Sequence, residues 1–269
     1  MGKNRWFLPI ASTIGFLFLY APILSLVIFS FNSNRLVTVW AGFSTQAYAD
    51  LWADPQLLPA ALLSLQIAAV AATIALVLGT LCAIALVRFR RFRGKTVLQA
   101  TVSAPLVMPD VITGLALLLL FVAMQSLIGW PAGRGIVTII IAHATFCTAY
   151  VTVVVQSRLS DFDLSLEEAA MDLGANPVRV FFDITLPIIA PALVSGWLLA
   201  FTLSLDDLVI SSFVSGPGSS TLPMIIFSKV KLGVSPEVNA LATIIIAVVA
   251  LGVIGATLLS MRNGRAKRA

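Results

Sequence analysis

Six long apolar runs, separated by short charged connections, set the pattern of this chain. They cover about 6–31, 60–87, 97–128, 136–156, 188–213 and 238–261. Each is near or above the ~20 residues that a helix needs to cross the hydrocarbon core. In lipid a segment must satisfy its own backbone donors and acceptors, which forces helix. The runs are too long, and too little alternating, for barrel strands. The third is long and interrupted at Pro105 and Pro109, and the fifth carries two adjacent acids, Asp206 and Asp207. The pattern predicts an all-α polytopic membrane protein with six transmembrane helices, forming a single domain over 1–269.

Composition agrees. The chain is 59% hydrophobic and 11% charged, where soluble domains carry about 25% charged residues. Its cations mark topology. Lys3, Arg5, Arg88, Arg90, Arg91, Arg93, Lys95, Arg158, Arg179, Arg262, Arg265, Lys267 and Arg268 fall on one side, thirteen against four. The four are Arg35, Arg134, Lys229 and Lys231. The positive-inside rule then makes both termini and the 157–187 connection cytoplasmic. The net charge of +5 is thereby explained without nucleic acid. Trp6 and Trp130 sit at span ends, as interfacial anchors do. The first run is too long for the ~7–15-residue core of a signal peptide and reads as an uncleaved span. Cys82 and Cys147 lie in apolar runs and read as small buried hydrophobes. There is no fixed-period repeat. "PLVMP" and "PIIAP" each precede intramembrane acid, an echo too weak to call one.

The cytoplasmic connection "SRLSDFDLSLEEAAMDLGANPVRVFFDITLP" has strong local grammar. Ser165 and Glu168 have capping-box spacing. Leu166, Ala169, Ala170 and Leu173 form one apolar face. Gly174 suits the left-handed position that ends a helix. Asn176 caps a second helix with Pro177 at its first position. Val178, Phe181, Phe182 and Thr185 share a face, and Pro187 is expected to close this helix and open the fifth span. The pattern predicts a helical hairpin over 165–186. It could fold against the membrane or serve as a docking surface, and an exposed apolar stripe favours docking.

"EAAMDLGANPVRVFFDITLP" resembles the EAA signature of ABC importer permeases. Glu168, Ala169, Ala170, Gly174, Ile184, Leu186 and Pro187 fill its fixed places. "FNSNRLVTVWAGFS", "APLVMPDVITGLALLLLF", "GWLLAFTLSLDDLVISSFVSGPG" and "LPMIIFSKVKLGVSPEVNALAT" extend the likeness to the putrescine/spermidine permeases over about 14–250. The resemblance implies a type I ABC importer permease in a bacterial inner membrane. It implies a hairpin that docks on an ATPase, a second and different permease, two ATPase subunits and an extracytoplasmic polyamine-binding protein. The chain has no G-x-x-x-x-G-K-[ST] phosphate loop, so ATP chemistry is expected on a partner. No catalytic set, metal cluster or cofactor site is expected.

Intramembrane acids are functional candidates, because an Asp near the bilayer centre costs roughly 2.5–3.5 kcal/mol. A polycation's path needs carboxylates or aromatic faces. On a continuous helix Asp206 and Asp207 point about 100° apart. Ser204, Asp207 and Ser211 share one face, and Asp206 sides with Leu203, Val209 and Ile210. This favours Asp207 for the path, with Asp206 packing or capping a broken turn. Asp110 follows Pro109 at a kink or helix break; it could cap the helix starting at Val111, line the path, or do both. His143, the only histidine, reads as a packing residue bonded to a neighbour, and Trp197 and Phe201 as packing. The segment 215–223 reads as a flexible outer loop which, with 32–58 and the stretch beyond, is expected to meet the binding protein. Two other readings stand beside this one: an ABC permease for another small solute, and an ion-coupled carrier working without an ATPase. The first would show intramembrane Arg or Lys for an anion. The second gives no reason for the hairpin.

Overall fold

The computed structural model describes residues 7–34, 39–89, 91–232 and 236–266, with side chains as far as Leu251 apart from Leu232. Trp6, Lys3, Arg5, Arg35, Arg90, Lys267 and Arg268 lie outside the described residues, as do the side chains of Arg262 and Arg265. The described chain is helical apart from connections and one isolated bridge between Asn32 and Phe43. It divides into two compact units, 59–225 and the pair of segments 1–58 and 226–269.

The larger unit holds most of α3 (Leu57–Arg88), then α4 (Lys95–Val107), α5 (Asp110–Ile128) and α6 (Ile136–Ser160). Next come α7 (Ser165–Asp172), α8 (Pro177–Val180), a π-helical turn (Phe181–Thr185), α9 (Leu186–Leu205) and α10 (Val209–Val214). α6 is the hub, with Ile139, Ala142, Cys147, Val151 and Val155 wholly buried. Val151 sits between two glycines. A Cβ on Gly79 of α3 would fall 2.7 Å from Val151 Cγ1, and one on Gly196 of α9 would fall 3.5 Å away. Small residues are what let helices approach closely where lipid offers no hydrophobic drive. Trp197 and Phe201 stack at 5.2 Å, and Trp197 Nε1 donates to Thr73 Oγ1 at 3.1 Å, which bears out a packing role.

The smaller unit contains α1 (Phe7–Phe29), α2 (Gln46–Ala53) and α12 (Pro236–Ala266), with the end of α11 (Leu222–Leu232). α1 and α2 both pack on α12. No residue of α1 is buried. The Asn32 side chain bonds Val39 O and the Ala41 amide. Lys229 Nζ reaches Asp54 Oδ2 at 2.6 Å. Burial pushes the Asp54 carboxyl up, but Lys229 and the amides of Gln56 and Leu57 outweigh it and hold the group below the ordinary carboxylate range. This pair therefore stabilises the fold above the unfolded pKa and is lost only as pH falls through the folded one.

Five described helical stretches are long and apolar enough to cross a membrane: Phe7–Phe29, Leu57–Arg88, Asp110–Ile128, Ile136–Ser160 and Pro177–Leu205. The sixth expected span lies on α12, whose apolar described part is Pro236–Leu251. Four details differ from expectation. The fifth run is not one helix over 188–213, because it breaks after Leu205. Pro187 does not close a helix: α8, the π-helical turn and α9 run on without interruption. A proline displaces the carbonyl four residues before it, and the wide turn over Phe181–Thr185, closed by Leu186 N–H to Phe181 O, lies where that carbonyl must move. The connections expected before the second and sixth spans contain helices α2 and α11; Pro223 stands at the start of α11, where its missing N–H is harmless. Finally, 215–223 is packed: Ser219 and Thr221 are buried, Ser219 Oγ bonds the backbone of Gly216, and a Cβ on Gly216 would meet Arg134 O at 2.0 Å.

The glycine contact gives a direct check. Gly79→Ala forces Val151 aside and should destabilise by about 1–3 kcal/mol, lowering the melting temperature in detergent. Adding Val151→Ala should recover part of the loss.

Candidate functional site

The acids of the apolar runs stand at helix breaks. α9 ends at Leu205, with Asp206 as its C-cap donating its N–H to Thr202 O at 3.2 Å. α10 starts three residues later at Val209. Asp207 closes the gap. Its Oδ1 accepts from the Ile210 amide at 3.2 Å and its Oδ2 from the Ser211 amide at 2.7 Å, filling two donors that a helix start leaves open. Behind it lies His143, 1% exposed. The imidazole Nε2 is 3.1 Å from Asp207 Oδ2 and 3.0 Å from Ser211 Oγ, and Nδ1 is 2.6 Å from Ser204 Oγ.

The helical offset used to separate the two acids therefore does not apply, because no helix passes through them. Ser204, Asp207 and Ser211 do converge, as their spacing suggests, but on His143. Asp207 is 8% exposed at its side chain, whereas Asp206 is exposed. Asp207 caps the broken turn, and Asp206 is the open carboxylate of the pair. The C-terminal carbonyls of α9 end beside it, the negative pole of that helix. His143 was expected to be satisfied by a neighbour, and it is. Its link to both sides of the break was missed, although the lone histidine and the three-residue face were both visible.

α10 is held at its other end too. Thr138 Oγ1 donates to Val214 O at 2.7 Å, and Arg134 Nη1 to Phe213 O at 3.3 Å. It lies against α5, where a Cβ on Gly114 would meet Phe213 at 2.7 Å and Ile210 Cα at 3.3 Å. Asp110, one turn before Gly114, is exposed. It is the first residue of α5 and not its cap: Pro109 holds the cap position, and the Ile112 and Thr113 amides bond Pro109 O. Proline has no amide of its own to satisfy there, which suits the break.

The hairpin forms, with one correction. Ser165 and Glu168 make no capping box; Ser165 is already helical. The Asp163 carboxylate accepts from the Ser165 amide at 3.0 Å instead. Chiefly because of that bond, its carboxyl is held below the ordinary range. A carboxylate two residues upstream serves the helix start better than the serine. Gly174 has φ +89°, its amide bonds Met171 O at 2.9 Å, and the Ala175 amide bonds Ala170 O at 3.1 Å. This is a Schellman ending. Asn176 Oδ1 accepts from the Arg179 amide at 2.8 Å, with Pro177 first in α8. Glu168, Ala169, Gly174 and Pro187 are exposed, and Ala170, Ile184 and Leu186 are half-buried. Leu166, Leu173 (90% exposed), Val178 and Phe182 leave an open apolar face. In α8 and the π-helical turn the buried residues are Val180 and Thr185, not all of the expected face, because the wider turn changes the phase.

Five described helical stretches of spanning length with a shorter sixth, breaks before Asp110 and at Asp206, and a capped hairpin define a polytopic membrane protein. The description "Binding-protein-dependent transport system inner membrane component" belongs to a family model that matches residues 75–266. The chain is 65% identical over 242 residues to the putrescine transport system permease protein PotI of Escherichia coli (strain K12), across 90% of this chain and 85% of that protein. It is 45% identical over 261 residues to the spermidine/putrescine transport system permease protein PotC of Haemophilus influenzae, across 97% of this chain and 99% of that protein. A bacterial ABC transporter involved in the import of the acidic polysaccharide alginate superposes with TM-score 0.71 at 18% identity, covering 97% of this chain and 98% of that one. The MetNI methionine ABC transporter gives 0.61 at 16%, covering 80% and 97%. These two likenesses speak for the fold alone. The chain belongs to the family of binding-protein-dependent transport system inner membrane components. It is a multi-pass membrane transport subunit and not an enzyme.

The two acids should separate by measurement. Asp207→Ala removes the acceptor of the Ile210 and Ser211 amides and one of the three contacts of His143, and should cost about 1–3 kcal/mol, read as a lower melting temperature in detergent. Asp206→Ala should change stability by under ~0.5 kcal/mol.

Proposed function

We propose that the chain is one of two permeases in an ATP-driven importer of polyamines such as putrescine and spermidine. In this reading 1–269 acts as one permease domain with both termini in the cytoplasm. The observation that carries it is the broken fifth span, which leaves the Asp206 carboxylate open beside the carbonyl end of α9. Half-helix C-termini and unwound carbonyls are what membrane transporters offer to cations. A passing polyamine needs such a charge without a deep trap. Asp110 supplies a second open acid at the start of α5. Asp207 belongs to the same site as the rigid support that holds the break open. Putrescine and spermidine are the substrates in the names of the relatives, and the acids suit that chemistry.

The cation count supports a cytoplasmic hairpin. Glu168, Ala169, Ala170, Gly174, Ile184, Leu186 and Pro187 serve it in two ways. The first four shape an exposed α7, and the last three carry its motion into α9 through a helix that does not break. The partners are a second, different permease, two cytoplasmic ATPase subunits and an extracytoplasmic polyamine-binding protein. By the same topology, 32–58, 215–223 and the stretch beyond each meet that protein. A permease for an anion would be served by cations in the spans, and the span interiors here carry acids. A carrier working alone leaves the hairpin without a purpose.

Uptake of radiolabelled putrescine and spermidine by cells lacking only this chain tests the reading; unchanged uptake of both would refute it. Asp206→Asn should lower polyamine flux roughly tenfold, equal to about 1.4 kcal/mol of lost interaction, with normal expression. Glu168→Gln or Gly174→Val should leave insertion intact while ATP turnover proceeds without uptake. Gly174→Val acts through its positive φ, which a β-branched residue tolerates poorly.

A further inference from the structure

We infer that Arg88, Glu167 and Thr185 form the polar joint through which the cytoplasmic hairpin moves the spans. The inference rests on the coupling role proposed for that hairpin. Glu167 and Glu168 are neighbours in sequence with different surroundings. Glu168 is exposed, while Glu167 is half-buried. Its Oε1 accepts from Arg88 Nη2 at 2.6 Å and also from the Thr185 hydroxyl. Arg88 and Glu167 are 20% and 18% exposed at their side chains, so solvent screens the pair less than a surface contact. The Arg88 guanidinium also lies 5.0 Å over the Phe162 ring, in the turn that leads into α7.

Three elements meet at this one carboxylate. Arg88 is the last residue of α3, Glu167 lies in the first turn of α7, and Thr185 ends the π-helical turn that runs into α9. Apolar packing around this carboxylate is incomplete. A cavity of about 350 Å³ opens there, bordered by Ile84, Leu159, Met171, Val180 and Phe181 together with the three polar residues. Close-packed interiors transmit displacement, and a void does not. α7 is short, and no residue in it is buried. Its motion therefore reaches α3 through the Arg88–Glu167 bond, and α9 through Thr185, the packing of α7 on α8 and the π-helical turn, and the continuous helix. With the joint intact, the cytoplasmic ends of α3 and α9 follow the hairpin together. Without it, α7 moves over the cavity and α3 stays behind.

The test uses the whole transporter in proteoliposomes, with partner permease, ATPases and binding protein, and reads polyamine taken up per ATP hydrolysed. Glu167→Gln and Thr185→Val should each lower that ratio, Glu167→Gln by roughly fivefold or more, while the ATPases still co-purify. The exchange Arg88→Glu with Glu167→Arg should recover part of it, which a loss of folding alone would not allow. Glu168→Gln and Gly174→Val in the same preparation report on the coupling role itself. If those two lower the ratio and the joint variants do not, the joint is wrong and the coupling role stands. If none of the four lowers it, both fail. Should Glu167→Gln not assemble, Thr185→Val and Arg88→Lys decide by the same ratio, and an unchanged ratio in both overturns the joint.

Discussion

The buried contact between His143 and Asp207 is the constraint on which the rest of the site depends. A carboxylate in a membrane span is expensive, and an unfilled helix start beside it adds cost. Joining the two solves both problems, because Asp207 takes the first amides of α10 and the imidazole takes Asp207. The histidine also reaches Ser204 on α9 and Ser211 on α10, so one ring on α6 holds both sides of the break. α10 is thereby fixed at its start by His143 of α6 and at its end by Thr138 of α6 and by Arg134, two residues before that helix. The break persists, and Asp206 remains outside the network. One acid of the pair belongs to the fold so that the other can face outward.

The hairpin lies at the other end of α9. A hairpin with little buried surface is stiffened by its own caps, Asp163, Gly174 and Asn176. It continues into α9 without a break, through a π-helical turn that absorbs Pro187. α9 runs from the hairpin to Leu205, packed along α6 through Gly196 and Val151 and bonded to it through Ser204 and His143, and α10 beyond the break is tied to α6 as well.

Much of this was legible in the residues. The spans follow from length and apolarity, since lipid leaves the backbone no alternative to helix. The hairpin follows from Gly174, Asn176 and Pro177, whose conformational preferences are strong and local. The interruption of the third span followed from Pro109. What sequence missed depended on competition or distance. Asp163 and Ser165 compete for the same amide, and spacing alone does not decide between them. Pro187 signals a helix end unless a wider turn accommodates it. The spacing of Ser204, Asp207 and Ser211 identified a face correctly and not what that face meets, because His143 lies more than sixty residues away in sequence. The contact of Arg88 with Glu167 crosses 79 positions and left no local trace.

The central claim is that Asp206 is open to a cationic substrate while Asp207 is sealed. Cysteine accessibility tests it most directly, in the assembled transporter with Cys82 and Cys147 replaced. Asp206→Cys should react with a cationic methanethiosulfonate reagent, and putrescine should slow the reaction. Ser211→Cys, on the sealed face, should not react. Labelling of Ser211→Cys with no labelling of Asp206→Cys would contradict the account.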